Sequence, residues 1–160
     1  MQSKLGLKSF NFDTCFGPTS TQEEIFEDTK RLVQSAIDGF NVCVFAYGQT
    51  GSGKTFTMQG PPGLPGVAPR AIVELFELVG EMNHCQVKIE TYMVELYMDQ
   101  LNDLLHDHHT PPIKLEVKED PNGMMYIQGV TRKTVTSIEQ TESIFSHGLN
   151  ARKTASTKMN

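Results

Sequence analysis

The sequence predicts an α/β protein, and three features of the chain support that prediction. The first is an apolar run of strand formers at residues 41–47, which leads directly into a glycine-rich loop and a helix-forming stretch. The second is a set of stretches whose apolar residues recur at helical spacing. The third is the pair Asn122 and Gly123 between two β-rich runs, a strong hairpin signal. A chain of 160 residues is expected to form one domain with a sizeable core.

Composition disfavours several classes of protein. A net charge of -5 argues against bulk nucleic-acid binding, because neutralising phosphates requires a basic face. The three cysteines, Cys15, Cys43 and Cys85, are widely spaced and form no C-x-x-C pair, so neither a disulfide framework nor a zinc site is indicated. No window of about 18 apolar residues occurs. We therefore expect a reducing, cytosolic protein without a signal peptide or a membrane span.

Residues 48–55 match the pattern G-x-x-x-x-G-K-[ST] at every fixed position. The glycines let the backbone turn tightly and aim successive N–H groups inward, which creates an anion site at the start of a helix. Lys54 would reach the β- and γ-phosphates, and the Thr55 hydroxyl would ligate Mg²⁺. A bland glycine-rich turn is disfavoured, because a strand precedes the loop and a helix follows it. The candidate nucleotide-binding residues are Gly48, Gln49, Thr50, Gly51, Ser52, Gly53, Lys54 and Thr55.

Two elements are expected before this loop. Residues 7–13 alternate in polarity, which predicts a short strand. Ser20 and Glu23 form a capping box that opens a helix, and Gly39 ends it. The apolar stripe of this helix is assigned to the core and consists of Ile25, Phe26, Leu32, Val33, Ala36 and Ile37.

After the loop, three prolines within residues 60–66 predict a protruding connection, because they cannot continue a helix. Pro69 suits the first turn of the next helix. Residues 87–96 predict a strand that runs into a helical turn at 101–105. The core face of the helix after Pro69 consists of Ile72, Leu75, Phe76 and Val79.

The last part of the chain is predicted to form a hairpin and a helix. Residues 113–117 and 125–130 flank the Asn-Gly turn as its two strands. Ser137 and Gln140 form a second capping box, which opens the final helix. Its apolar face consists of Ile138, Ile144, Phe145 and Leu149.

Two groups of side chains that could bind a metal or take part in catalysis are assigned structural roles instead. Residues 106–109, His-Asp-His-His, invite a metal hypothesis, but no further ligand follows at metal-site spacing and two prolines come next, so a solvated loop is favoured. Tyr92, Glu95 and Tyr97 are assigned to packing and cross-strand pairs. No residue is assigned as catalytic.

Taken together, several stretches of the chain resemble the kinesin motor domain. They are F-N-F-D at residues 10–13 before Phe16, F-A-Y-G-Q-T-G-S-G-K-T-F-T-M at 45–58, G-V-A-P-R at 66–70, and E-L-Y through D-L-L at 95–105. The resemblance covers nearly the whole chain and includes the flanks of the phosphate loop. The hairpin stretch at 118–124 looks most like the minus-end-directed kinesins whose motor is C-terminal.

This resemblance implies a three-layer P-loop NTPase fold of the α/β class, with a parallel-rich central sheet and helices on both faces. It implies ATP or ADP with Mg²⁺ as ligands, ATP hydrolysis, and nucleotide-gated binding to microtubules in the cytoplasm, on the cytoskeleton. Phe56 would pack its ring against adenine, and residues 60–66 would interrupt the second helix. The strand pair around Lys118 would make a minor tubulin contact.

The chain also departs from the family pattern. The family's Arg-x-Arg-Pro strand would precede residue 1, the first switch would begin at Asn160, and the second switch, D-L-A-G-S-E, is absent, as are the principal microtubule-binding helices. We therefore expect residues 1–160 to be a truncated motor domain that lacks its C-terminal half, that leaves the strand at 42–47 with exposed edges, and that binds nucleotide without turnover. A non-hydrolysing module or pseudo-motor, and another P-loop ATPase or GTPase, remain alternatives.

Overall fold

The computed structural model describes residues 9–107, 109–111 and 113–157, the last five by their backbone alone. Within these residues the helices are α1 (Gln22–Ile37), α2 (Lys54–Met58), α3 (Val67–Glu81) and α4 (Ile138–Thr157). The strands are β1 (Ile89–Thr91), β2 (Val94–Tyr97), β3 (Gln100–Asp103), β4 (Glu116–Glu119), β5 (Met125–Gln128) and β6 (Lys133–Val135). No helix in this part of the chain combines the length and apolarity needed to cross a bilayer.

Helix α1 begins with a capping box one residue later than predicted. The Thr21 hydroxyl accepts from the Glu24 backbone N–H at 3.2 Å, and the Glu24 carboxylate accepts from the Thr21 N–H at 2.9 Å. The predicted pair of Ser20 and Glu23 is wrong, because the Ser20 hydroxyl accepts from the Gly17 N–H in the preceding turn. Gly39, with φ at +96°, follows the helix as expected.

Helices α1 and α3 pack against each other and contribute Phe26 and Val67 to the core. The predicted apolar faces of both helices are buried or half-buried except at Ala36, which is exposed. Ala36 borders an open apolar groove of about 310 Å³, which is lined by α1, by α3 and by the side chains of Val42 and Val44. The two helices therefore cover one side of the apolar run that leads into the glycine-rich loop.

That apolar run forms no ladder with any described strand. Phe45 is 78% exposed and Tyr47 is 95% exposed, so the side of this run that faces away from α1 and α3 is exposed to solvent. The described part of the other predicted strand, residues 9–13, is likewise unpaired, and residues 7 and 8 lie outside the described range. The central parallel sheet implied by the resemblance is thus not built within the described residues.

The described strands form three antiparallel two-stranded ladders instead. The predicted continuous strand at 87–96 is divided, because β1 pairs with β6 whereas β2 pairs with β3. The helical turn predicted at 101–105 is wrong: β3 occupies most of it, since Met98 and Asp99 adopt positive φ and turn the chain back as a tight hairpin. Leu104 and Leu105 follow β3 and are buried.

The hairpin predicted around the Asn-Gly pair is confirmed. Strands β4 and β5 pair with Glu119 opposite Met125. The Asp120 carboxylate accepts from the backbone N–H groups of Asn122 and Met124 at 2.8 and 2.9 Å, and Gly123 supplies the left-handed conformation that the turn requires. The first strand is shifted relative to the predicted 113–117.

The final helix begins after Ser137, as predicted, but its cap differs in detail. The Ser137 hydroxyl accepts from the Gln140 N–H at 3.2 Å. The Gln140 side chain accepts from Thr136, at 3.0 Å from its N–H, so the reciprocal half of the predicted box is displaced by one residue. Gly148 of α4 packs so closely on Met93 and Leu105 that an added Cβ would overlap the Met93 sulfur.

Candidate nucleotide-binding site

The glycine-rich loop connects the apolar run to α2 in a tight turn. Gly51 and Gly53 adopt φ of +81° and +92°, the left-handed region where an L side chain is strained. The Ser52 N–H donates to the Gln49 carbonyl at 3.2 Å, and the Thr57 N–H donates to the Gly53 carbonyl at 2.9 Å. The predicted loop residues, 48–53, are therefore all brought together at the start of α2, and all of them are exposed.

The Lys54 side chain folds back over this loop. Its ammonium donates to the carbonyls of Gly48 and Gln49, each at 2.7 Å. An ammonium carries three N–H donors, so these two bonds fix it against the loop while one donor stays available. The lysine is half-buried. A fixed cation with a free donor at the opening of the loop is suited to an incoming oxyanion.

Thr55 and Phe56 begin the short helix and are exposed. A threonine hydroxyl at this exposed position offers its oxygen lone pairs to a hard cation such as Mg²⁺. The Phe56 side chain is 51% exposed. The donor set at the loop, a hydroxyl oxygen beside an ammonium and several backbone N–H groups, fits a Mg²⁺-bound phosphate chain.

The end of α2 is held by the residues that follow it. Gly60 donates its N–H to the Thr55 carbonyl at 3.2 Å, and Gly66 donates to the Gln59 carbonyl at 3.0 Å. Gly66 is buried, and a Cβ at that position would overlap backbone atoms of residues 57–59. Residues 61–65 are exposed between these two anchors, as the predicted protruding loop requires. The phosphate-loop helix is thus clamped by backbone contacts from the start of α3.

Arg70 ties this protruding loop to α1. Its guanidinium donates to the Pro65 carbonyl at 2.9 Å and forms an ion pair with Glu23. The pKa of Glu23 lies below its ordinary value, first because of a backbone hydrogen bond at the carboxylate and then because of the Arg70 charge. A second ion pair joins Lys30 to Glu74 at 3.0 Å, and the bond to Glu74 raises the pKa of Lys30.

One residue at the site was missed by the sequence predictions. Gln22, in the first turn of α1, is only 2% exposed and donates from its side-chain amide to the Phe56 carbonyl at 2.7 Å. A signal was present, because Gln22 lies four residues before Phe26 and so shares the buried face of α1. A polar residue in line with an apolar stripe indicates a specific internal hydrogen bond.

The other chemically active groups lie away from the loop. The Asp107 carboxylate accepts from the His109 backbone N–H at 2.9 Å, and His106 bonds the Thr110 carbonyl at 3.0 Å, so these side chains order a turn. His108 lies outside the described residues. Among those that are described, no three or more His, Cys, Asp or Glu side chains are grouped to hold a metal.

The predicted cross-strand pairing is confirmed for Glu95 and Tyr97, whereas Tyr92 lies between β1 and β2 and in neither strand. Glu95 lies opposite Asn102 and Tyr97 opposite Gln100 in the ladder of β2 and β3. The Arg132 guanidinium lies over the Tyr92 ring, 5.1 Å from its centre, in a cation–π contact.

Comparison with known proteins identifies the family. The family model described as kinesin motor domain matches residues 1–160. The chain is 48% identical to the kinesin-like protein KIN-14I of Oryza sativa subsp. japonica and 45% identical to KIN-14E of Arabidopsis thaliana, in each case over 96% of this chain and 12% of the relative. The chain therefore belongs to the kinesin motor domain family.

A solved structure agrees with this assignment. The chain superposes with a TM-score of 0.86 and 33% identity on a protein described as a fast kinesin, over 96% of this chain and 44% of that one. The match confirms the predicted fold class, a kinesin-like α/β fold. The chain spans less than half of that solved structure and about an eighth of the two plant relatives.

Proposed function

We propose that this chain binds Mg-ATP and Mg-ADP through residues 48–55 and forms the nucleotide-binding part of a microtubule-based motor ATPase. The observation that carries the proposal is the Lys54 ammonium, fixed by two loop carbonyls at 2.7 Å in a chain of the kinesin family. The fast kinesin is described in terms of its ATPase mechanism and its interactions with microtubules. We propose that this chain shares both properties.

Each loop residue has a proposed role. Backbone N–H groups of residues 49–53 hold the phosphates, except that of Ser52, which donates to the Gln49 carbonyl, and the glycines allow close approach. Lys54 neutralises the β- and γ-phosphates, and Thr55 ligates Mg²⁺. Phe56, exposed beside them, packs against the base. Bound Mg²⁺ would offset phosphate charge; the chain itself orients the nucleotide.

Residues 1–160 are proposed to be a partial motor domain whose remainder supplies the switches and the principal microtubule contacts. The proposed location of the protein is the cytoplasm, on the cytoskeleton. A second candidate is a non-hydrolysing nucleotide-binding module or pseudo-motor. Residues 1–160 contain no complete switch sequence, so the phosphate loop by itself does not distinguish the two candidates. Both candidates require the phosphate loop to bind nucleotide.

Calorimetric titration with Mg-ATP tests that shared requirement. We define the completed chain as residues 1–160 joined to the remainder of the motor domain of the rice relative. Replacing Lys54 with alanine in the completed chain is expected to weaken Mg-ATP binding by about ten- to a hundredfold, the usual loss for a charge-assisted contact of roughly 1.5–3 kcal/mol. Lys88→Ala is the matched control, because Lys88 is 68% exposed and pairs with Glu90. Equal affinities for Lys54→Ala and the unmodified protein would refute the proposed site.

Phosphate release in the presence of microtubules separates the two candidates. The 160-residue chain is expected to show no microtubule-stimulated ATPase, because it contains neither the switch serine nor a γ-phosphate sensor. The completed chain is expected to show stimulation that Lys54→Ala removes. Stimulated ATPase in the 160-residue chain that disappears with Lys54→Ala would contradict the role given to the switches. Absence of stimulated ATPase from the completed chain would favour the pseudo-motor.

A further inference from the structure

The buried side-chain amide of Gln22 makes one hydrogen bond, although both its nitrogen and its oxygen need a hydrogen-bond partner. It is 2% exposed, its Nε2 donates to the Phe56 carbonyl at 2.7 Å, and its Oε1 is buried without a partner among the described residues. A buried amide with an unpaired oxygen is unfavourable compared with an apolar side chain of the same length. The bond to Phe56 is therefore the feature that distinguishes glutamine from an apolar residue at this position.

The Phe56 carbonyl depends on this bond. In a longer helix it would accept from the N–H of Gly60, but that N–H donates to Thr55 at 3.2 Å, because α2 ends at Met58. The amide of Gln22 occupies the position of the lost helical donor. The carbonyl end of α2 is thus fixed by the start of α1, which is itself capped by Thr21 and Glu24.

The two ends of the candidate site are held differently. The phosphate end is held by the loop's own backbone and by the Lys54 ammonium. Phe56, at the other end, has a 51% exposed side chain and a carbonyl bonded to Gln22. Movement at Phe56 would therefore alter contacts to the base more than contacts to the phosphates.

We propose that Gln22 is a positioning residue that fixes Phe56 for packing against the base of a bound nucleotide. The inference rests on the proposed nucleotide-binding function and assigns different parts of the nucleotide to different residues. Gln22 controls affinity for the base, whereas Lys54 controls affinity for the phosphates. A residue that only stabilised the fold would affect both ligands alike.

Two ligands test this division in the completed chain: Mg-ATP, and Mg-tripolyphosphate, which has no base. Gln22→Met is expected to weaken Mg-ATP about three- to tenfold, the range for loss of one neutral hydrogen bond. Binding of Mg-tripolyphosphate should stay within about twofold, because the loop and Lys54 are unchanged. The melting temperature should change little, because the loss of the bond to the Phe56 carbonyl is offset by removal of the unpaired Oε1. Gln34→Met is the control, since Gln34 lies on the exposed side of α1 and bonds Asp38 at 2.9 Å.

Gln22→Glu provides a pH-dependent measurement that a purely structural role for Gln22 would not affect. A carboxylate cannot donate to the Phe56 carbonyl, whereas a protonated carboxyl can. Affinity of this variant for Mg-ATP, expressed relative to the unmodified protein, should therefore recover as the pH falls toward the carboxyl pKa. The corresponding ratio of affinities for Mg-tripolyphosphate, variant to unmodified protein, should not change with pH. In a Phe56→Ala background, Gln22→Met should cause no further loss of Mg-ATP affinity.

The outcomes separate failure of this inference from failure of the proposed function. Equal weakening of both ligands by Gln22→Met, or unchanged binding of both, would overturn the positioning role if Lys54→Ala still weakens binding of both ligands. Absence of any nucleotide binding, or binding that Lys54→Ala leaves intact, would overturn the proposed function and the inference together. Weakening of Mg-ATP alone, with pH-dependent recovery in Gln22→Glu, is the expected result.

Discussion

The two segments that flank the phosphate loop differ in how many of their polar groups are hydrogen-bonded or ion-paired. On the helical side, α2 is anchored by Gln22, Gly60 and Gly66, and α1 is tied to α3 by two ion pairs. On the strand side, the run at 41–47 contacts α1 and α3 along one face but has no ladder partner in the described chain. Helices satisfy their backbone internally, whereas a strand depends on neighbours, so the strand side is the flank that needs residues from elsewhere.

The largest expected consequence of this difference is on folding. The run at 42–47 leaves unpaired strand edges and apolar side chains such as Phe45 exposed, and exposed edges of this kind pair with other chains. A domain is stable by only about 5–15 kcal/mol, so the apolar burial that this run does not achieve is a large share of the total. We expect the 160-residue chain alone to aggregate or to behave as a molten globule, and the completed chain to unfold cooperatively. Circular dichroism melts with dye binding on both proteins make the measurement. A sharp, reversible melt of the 160-residue chain would show that its strand side is covered in another way.

A smaller effect is expected on the helical side, where glycine substitutions test the clamp on α2. In the completed chain, Gly66→Ala should lower the free energy of unfolding by about 1–3 kcal/mol or more, because the new Cβ overlaps backbone that cannot move aside. Gly80→Ala is the matched control in α3, with no atom within 4 Å of its added Cβ and normal helical geometry. It should raise stability by about 0.5–1 kcal/mol. Denaturant melts measure both, and similar effects of the two substitutions would argue against the clamp.

The same contrast explains which sequence predictions succeeded. The helices around the loop, the end of α1 at Gly39 and the Asn-Gly hairpin depend on neighbouring residues, and all were predicted. The capping box was misplaced by one residue because Ser20 and Thr21 both fit the pattern, and only the turn that engages Ser20 with Gly17 decides between them. The segment at 101–105 was predicted as helical because its apolar spacing is ambiguous over so short a run.

The remaining differences come from non-local pairing. The division of the strand at 87–96 follows from β1 pairing with the distant β6, with Ile89 opposite Val135, which local pattern does not encode. β2 instead folds back on β3 through the hairpin turn at Met98 and Asp99. The role of Gln22 depends on a residue 34 positions away. The candidate site residues at 48–55 could be named from sequence because a phosphate-binding loop is contiguous.

Hydrogen exchange at residues 42–47 tests the central claim most directly, namely that the strand before the phosphate loop is paired only when the rest of the motor domain is present. Backbone amides of this run should exchange with little protection in the 160-residue chain. In the completed chain they should slow by about a hundredfold or more, because a buried ladder protects them to nearly the global stability. The amides of α1 should show a smaller ratio between the two proteins. Equal protection of residues 42–47 in both proteins would contradict the account.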